Sequence, residues 1–102
     1  MQSKTIEKFK TYLSAKYPKK IGGDILCRCK RLEVILNIDI ENNIKSKKDY
    51  LSISSKIDAY MLKNQVPVLR RYAVKGTLMY SLRAFLRFNY KSGASDIIAP
   101  LY

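Results

Sequence analysis

The stretch Leu78-Met79-Tyr80-Ser81-Leu82-Arg83-Ala84-Phe85-Leu86-Arg87-Phe88-Asn89 decides how this chain is read. On a 3.6-residue wheel, Leu78, Met79, Leu82, Phe85, Leu86 and Asn89 share one side. Tyr80, Arg83, Ala84, Arg87 and Lys91 fall on the other. That periodicity predicts a long helix from about Val68 to Tyr90, ended by Ser92-Gly93 with Gly93 as a left-handed cap. Arg71 and Lys75 fall on the apolar side of the same wheel. The helix is therefore expected to begin later, near Ala73, or to kink near Gly76, where a missing side chain would also admit a second helix. Phe85 and Leu82 are assigned to the core. The alternative is that Phe85 or Phe88 serves as an exposed wedge or stacking group.

Working outward, the same period recurs and no convincing alternation of period two appears. Ile6, Phe9, Tyr12, Leu13 and Tyr17 predict a first helix over about Ser3–Tyr17, which Pro18 stops. Lys19-Lys20-Ile21-Gly22-Gly23 reads as a loop, with Asp24 capping a second helix over about Ile25–Leu36. Ile25, Cys29, Leu32 and Leu36 form its inward stripe. Asn37–Ile40 reads as a turn that keeps two isoleucines buried. A third helix starts near Ser46 or Asp49, whose spacing is that of a capping box, and carries Tyr50, Ile53, Ile57, Tyr60 and Met61 to about Lys63. Asn64–Pro67 breaks it. The expectation is an all-α bundle of four to five helices over residues 1–91, with a tail at 92–102 that packs back or leads elsewhere.

Composition removes several function classes. Among 102 residues there is no His, so His-based acid–base catalysis and His-containing metal sites are excluded. Two cysteines alone cannot assemble a mononuclear zinc site. Cys27 and Cys29 stand two apart on a helix, pointing about 200° away from each other. A disulfide between them would break the helix, so free thiols are expected, with Cys29 in the core. The acids form no obvious carboxylate pair for hydrolysis, and Gly22-Gly23 is no phosphate loop. No enzyme activity and no cofactor are expected. No apolar run reaches the roughly 20 residues of a membrane span, and no signal-peptide core follows Met1. A cytoplasmic location is therefore expected, nucleoid-associated if the chain binds DNA.

The charge balance points to a partner. Lys and Arg number 20 against 8 Asp and Glu, a net +12. No acid lies between Ala59 and Ser95, where Lys63, Arg70, Arg71, Lys75, Arg83, Arg87 and Lys91 supply seven cations. Such a run forgoes i,i+4 ion pairs, a cost that an anionic partner explains and a merely solvated face does not require. Arg83 and Arg87 suit bidentate contacts to phosphate or guanine. The Tyr80 hydroxyl can reach a phosphate, or the ring can simply pack. Arg28, Lys30 and Arg31 give the second helix a weaker basic face, preceded by Lys19 and Lys20.

Tyr72, then Tyr80-Ser81-Leu82-Arg83-Ala84-Phe85-Leu86-Arg87-Phe88, resembles the last long helix of the core-binding domain of tyrosine recombinases and phage integrases. Arg31-Leu32-Glu33 through Asn37-Ile38-Asp39-Ile40 is similar to the end of that domain's second helix. The resemblance covers about residues 3–91. It implies a compact helical domain that clamps duplex DNA with its second and fourth helices, and DNA contact by Lys30, Arg31, Arg83 and Arg87. The recombinase catalytic domain is absent from this chain, and the usual Ser/Thr-x-x-Thr start of the last helix is replaced by Val66–Arg71.

The expected function is non-catalytic duplex-DNA binding through Arg28, Lys30, Arg31, Tyr80, Arg83, Arg87 and Lys91, as an accessory or regulator of mobile-element DNA. The competing expectation is a protein-interaction adaptor of the same fold, whose basic face meets an acidic protein partner.

Overall fold

The computed structural model describes residues 1–98. They form α1 (Ser3–Lys16), α2 (Lys19–Leu36), α3 (Lys47–Lys63), α4 (Val68–Tyr90), a 3₁₀ turn (Lys91–Gly93) and the single turn α5 (Ala94–Ile97), with no strand among the described residues. The all-α expectation holds. No helix among them is long and apolar enough to cross a membrane.

Pro18 ends α1 but opens no loop. It occupies the N-cap of α2, so that helix starts at Lys19 and not at Ile25. Gly22 and Gly23 lie inside it, and Asp24, expected as its cap, is an exposed residue of its second turn. A Cβ on Gly22 would stand 3.4 Å from the Leu13 Cβ, so the bare backbone lets α1 lie close. That packing offsets the roughly 1 kcal/mol that Gly costs within a helix.

The other ends follow their local chemistry. Asn37 closes α2 in the left-handed region at φ 52°, ψ 52°, with the Ile38 amide donating to the Glu33 carbonyl at 3.1 Å. The Ser46 hydroxyl accepts from the Asp49 amide at 3.2 Å, as a capping box requires. The Asp49 carboxylate reaches back to the Lys45 amide at 3.0 Å, one residue further than the usual partner. Gln65, at φ 55°, turns the chain out of α3.

α4 is the central helix. Its second half buries Leu78, Met79, Ser81, Leu82, Ala84, Phe85 and Leu86, because α1, α2, α3 and α5 all pack on it. Ala84, expected on the solvent side, is thus in the core. Phe85 is fully buried, and Phe88 packs on Phe9 and Tyr12 with ring centroids 5.0 and 5.4 Å away. Both phenylalanines therefore belong to the packing and not to an exposed wedge. Ile40 and Ile44 seal the α2–α3 connection, where the Tyr90 hydroxyl donates to the Ile44 carbonyl at 2.7 Å.

The first half of α4 runs beyond this core, which resolves the problem of Arg71 and Lys75. The helix neither starts late nor breaks at Gly76; it is continuous from Val68. The wheel's apolar side is simply not buried there. Arg71 donates to the Val66 carbonyl at 2.9 Å, and Lys75 pairs with Asp58 of α3 at 2.9 Å. No helix approaches Gly76, since a Cβ there would meet nothing within 4 Å. Gly93 is not the left-handed cap either, its φ being −70°. Lys91 takes positive φ instead, at 52° with ψ −125°. The tail packs back as far as Ala94 and Ile97, both buried. Leu101 and Tyr102 lie outside the described residues.

Candidate nucleic-acid interface

Burial on three sides leaves the second half of α4 one narrow strip facing solvent. Through it project Tyr80, 42% exposed, then Arg83 and Arg87. Tyr80 and Arg87 lie two turns apart, about 10 Å along the axis. The strip is bordered by two other helices. On the α3 side the Arg83 guanidinium makes a long hydrogen bond, 3.4 Å, to the Tyr50 hydroxyl, and so is partly held in place. On the α1 side stands Tyr17. Its phenol is pushed above the ordinary value first by burial and then by its neighbours Tyr80 and Tyr12, while the nearby Arg87 opposes the shift. Tyr80, Tyr17 and Arg87 therefore form one group at the edge of α1.

Tyr17 escaped the sequence reading as a site candidate, as did Tyr12 and Lys16 beside it on α1. Tyr12 and Tyr17 read only as members of the packing stripe of α1. In the structure the Lys16 ammonium lies over the Tyr12 ring, 5.1 Å from its centroid. The signal was Tyr17 before Pro18. A proline restricts the residue before it and ends the helix there, fixing that aromatic at a helix end.

The remaining candidates sit elsewhere. Lys91 was expected beside Arg83 and Arg87, but the backbone leaves the α4 helix at this residue, so its side chain is not on the same wheel. On α2, Cys29 faces α4, its thiol donating to the Ser81 carbonyl at 3.2 Å. Lys30 and Arg31 follow at about 100° and 200° around the helix and are exposed, while Arg28 is half-buried. No hydrogen bond or ion pair joins Arg28, Lys30 or Arg31 to the α4 strip among the described residues. The longer α2 adds Lys19 and Lys20 to its first turn, where no acid is present.

The field over these faces is set by where the acids go. Glu33 accepts from the Ile40 amide and the Met1 amine, Asp39 from the Glu41 amide, Glu41 from the Gln2 amide, and Asp49 from the Lys45 amide. Four of the eight carboxylates thus accept from backbone amides. Of the 20 Lys and Arg side chains, only Lys10 and Lys75 have a carboxylate within 4 Å among the described residues. Arg83 and Arg87 have none, so their charge is available to an external anion.

Among the described residues no three of His, Cys, Asp and Glu are grouped to hold a metal ion. Cys29 is buried, and burial pushes its thiol up to about 12, which keeps it protonated and inert. Comparison with protein-family models, with curated proteins and with solved structures finds no match.

Proposed function

We propose that this chain is a non-catalytic duplex-DNA-binding domain that engages the phosphate backbone chiefly through the α4 strip of Tyr80, Arg83 and Arg87. The observation that carries this reading is the pair of arginines with no carboxylate partner among the described residues, on the central helix of the fold. A rigid helix that presents guanidinium groups in fixed register pays little ordering entropy on binding. Guanidinium forks match phosphate oxygens bidentately, and the hydroxyls of Tyr80 and Tyr17 add donors at the same edge. Lys19, Lys20, Lys30 and Arg31 on α2 supply a second, weaker contact face. The likeness to integrase core-binding domains agrees with this assignment, and a role on mobile-element DNA follows from it.

Arg83→Ala with Arg87→Ala tests the location. Each lost phosphate contact lowers the salt slope of binding by about one, so the double variant loses about two. Unchanged binding in that variant, with Arg28→Ala and Lys30→Ala abolishing it, would move the interface to α2.

A further inference from the structure

Tyr72 lines two shallow grooves between α3 and α4. One also takes in Leu62, Arg71 and Lys75, and the other Leu51, Gly76, Met79 and Arg83. Together they make one track along this pair of helices. From Tyr72 to Arg83 it spans eleven residues of α4, about 16 Å or three turns. About a third of the way along, a Cβ on Gly76 would meet nothing within 4 Å, so the track is open there.

Its outer end is apolar and uncovered. Leu62 is 64% exposed, Val68 73%, Tyr72 91% and Leu69 97%. Tyr72 stands one turn on from Val68 and Leu69 on α4, and Leu62 faces it across the groove. A contiguous set of large apolar side chains with a polar rim marks a binding surface. The rim here is predominantly cationic. Arg71, Lys75 and Arg83 line the track, and Lys63 and Arg70 flank its outer end. Asp58 is the one acid on it, already paired with Lys75.

We propose that the α3–α4 groove docks an amphipathic helix of a partner protein, with apolar residues at i, i+4 and i+7 and carboxylates along both flanks. Helix-in-groove recognition reads that spacing. The apolar side chains fill the track over Tyr72, Gly76 and Met79, and the carboxylates meet Arg70, Arg71 and Arg83. A second copy of this chain fits poorly, because it would bring the same cations against their own kind. Phosphates gain nothing from Leu69 or Val68, so the outer end does not suit nucleic acid. This inference does not rest on the duplex-DNA reading.

The test uses the full chain and a fluorescein-labelled synthetic peptide of about 18 residues, five turns, with Leu at i, i+4 and i+7 and Glu at the flanking positions. Controls are the same composition scrambled and the same pattern with Lys for Glu. Anisotropy is expected to give the patterned acidic peptide a Kd at least about tenfold below both controls. Leu69→Ala with Tyr72→Ala, both exposed and helix-compatible, is expected to weaken it by at least about tenfold without lowering the melting temperature. Gly76→Leu, whose side chain enters open space, is expected to fold as the parent does and to weaken the peptide similarly. Arg87→Ala is expected to leave it unchanged. Equal binding of the scrambled peptide would reduce the effect to charge alone and overturn the proposal. Self-association lost in the Leu69/Tyr72 variant would assign the groove to a second copy and overturn it. Loss of duplex-DNA affinity in that variant, with no peptide binding by the parent, would assign it to nucleic acid and overturn it equally.

Discussion

Phe9 of α1 meets Phe85 of α4 edge-on, ring centroids 5.2 Å apart and planes at 86°. Both rings are fully buried, and Phe88 and Tyr12 extend the cluster toward the surface. The contact pins α1 to the helix that carries Arg83 and Arg87. Phe85→Ala is predicted to cost about 3–5 kcal/mol, as for other buried phenylalanines. Small domains hold only about 5–15 kcal/mol in total, so the variant melts far lower and loses binding through unfolding. Phe88→Ala, at a half-buried site, costs less. Thermal melts with binding curves decide: an unchanged melting temperature with lost binding would place Phe85 on a recognition surface.

The two cysteines are predicted to differ sharply in reactivity. Cys27 is exposed, whereas Cys29 is buried, donates to the Ser81 carbonyl and has its thiol pushed up to about 12. Titration of the native chain with a chromogenic disulfide at neutral pH should release one equivalent quickly, and the second only on unfolding. Two fast equivalents would show that α2 opens away from α4.

Stability is predicted to fall on both sides of a neutral plateau. The Met1 amine lies 2.6 Å from Glu33 and 3.6 Å from Asp39. Burial alone disfavours the charged amine, but the hydrogen bond and charge of Glu33, with Asp39 and Glu41 behind it, hold its pKa above the ordinary 8.0. A pKa raised on folding contributes stability in full below 8.0 and loses it as pH rises through the folded value. Asp39, held down chiefly by the Asn42 side chain, and Asp49, held down by the Lys45 amide, contribute above 3.8 and lose that contribution as pH falls. Melting temperatures measured across pH check both limbs. Acetylating the Met1 amine should flatten the decline between 8.0 and 10.0, below the ordinary value of the Tyr17 and Tyr90 phenols, and leave the acid limb in place.

Much of this fold was legible where one helix face alone meets the core. Ile25, Cys29 and Leu32 on α2 and Tyr50, Ile53, Ile57 and Met61 on α3 are buried as their spacing predicts. The readings failed where tertiary packing overrides local preference. Lys19–Gly23 has the composition of a loop, yet it is helical because Gly22 lets α1 lie against it. Ala84 read as solvent-facing because a wheel assumes one buried side, while a central helix is covered on several. Arg71 and Lys75 read as a break because the wheel also assumes that the core extends along the whole helix. At the candidate site, Tyr80, Arg83 and Arg87 were legible from spacing and charge. Their grouping with Tyr17 was not, since it depends on how α1 crosses α4, which no local pattern encodes.

The most direct measurement of the central claim is the affinity for duplex DNA as a function of salt. Fluorescence anisotropy with a labelled duplex of about 20 base pairs, from about 50 to 200 mM salt, covers the range in which phosphate contacts dominate. With about five phosphates engaged, a Kd of roughly micromolar or tighter is expected at low salt, with a slope of log K against log salt of about −4 to −5. No binding at about 50 mM salt with about 20 µM protein, or an affinity that does not change with salt, would contradict it.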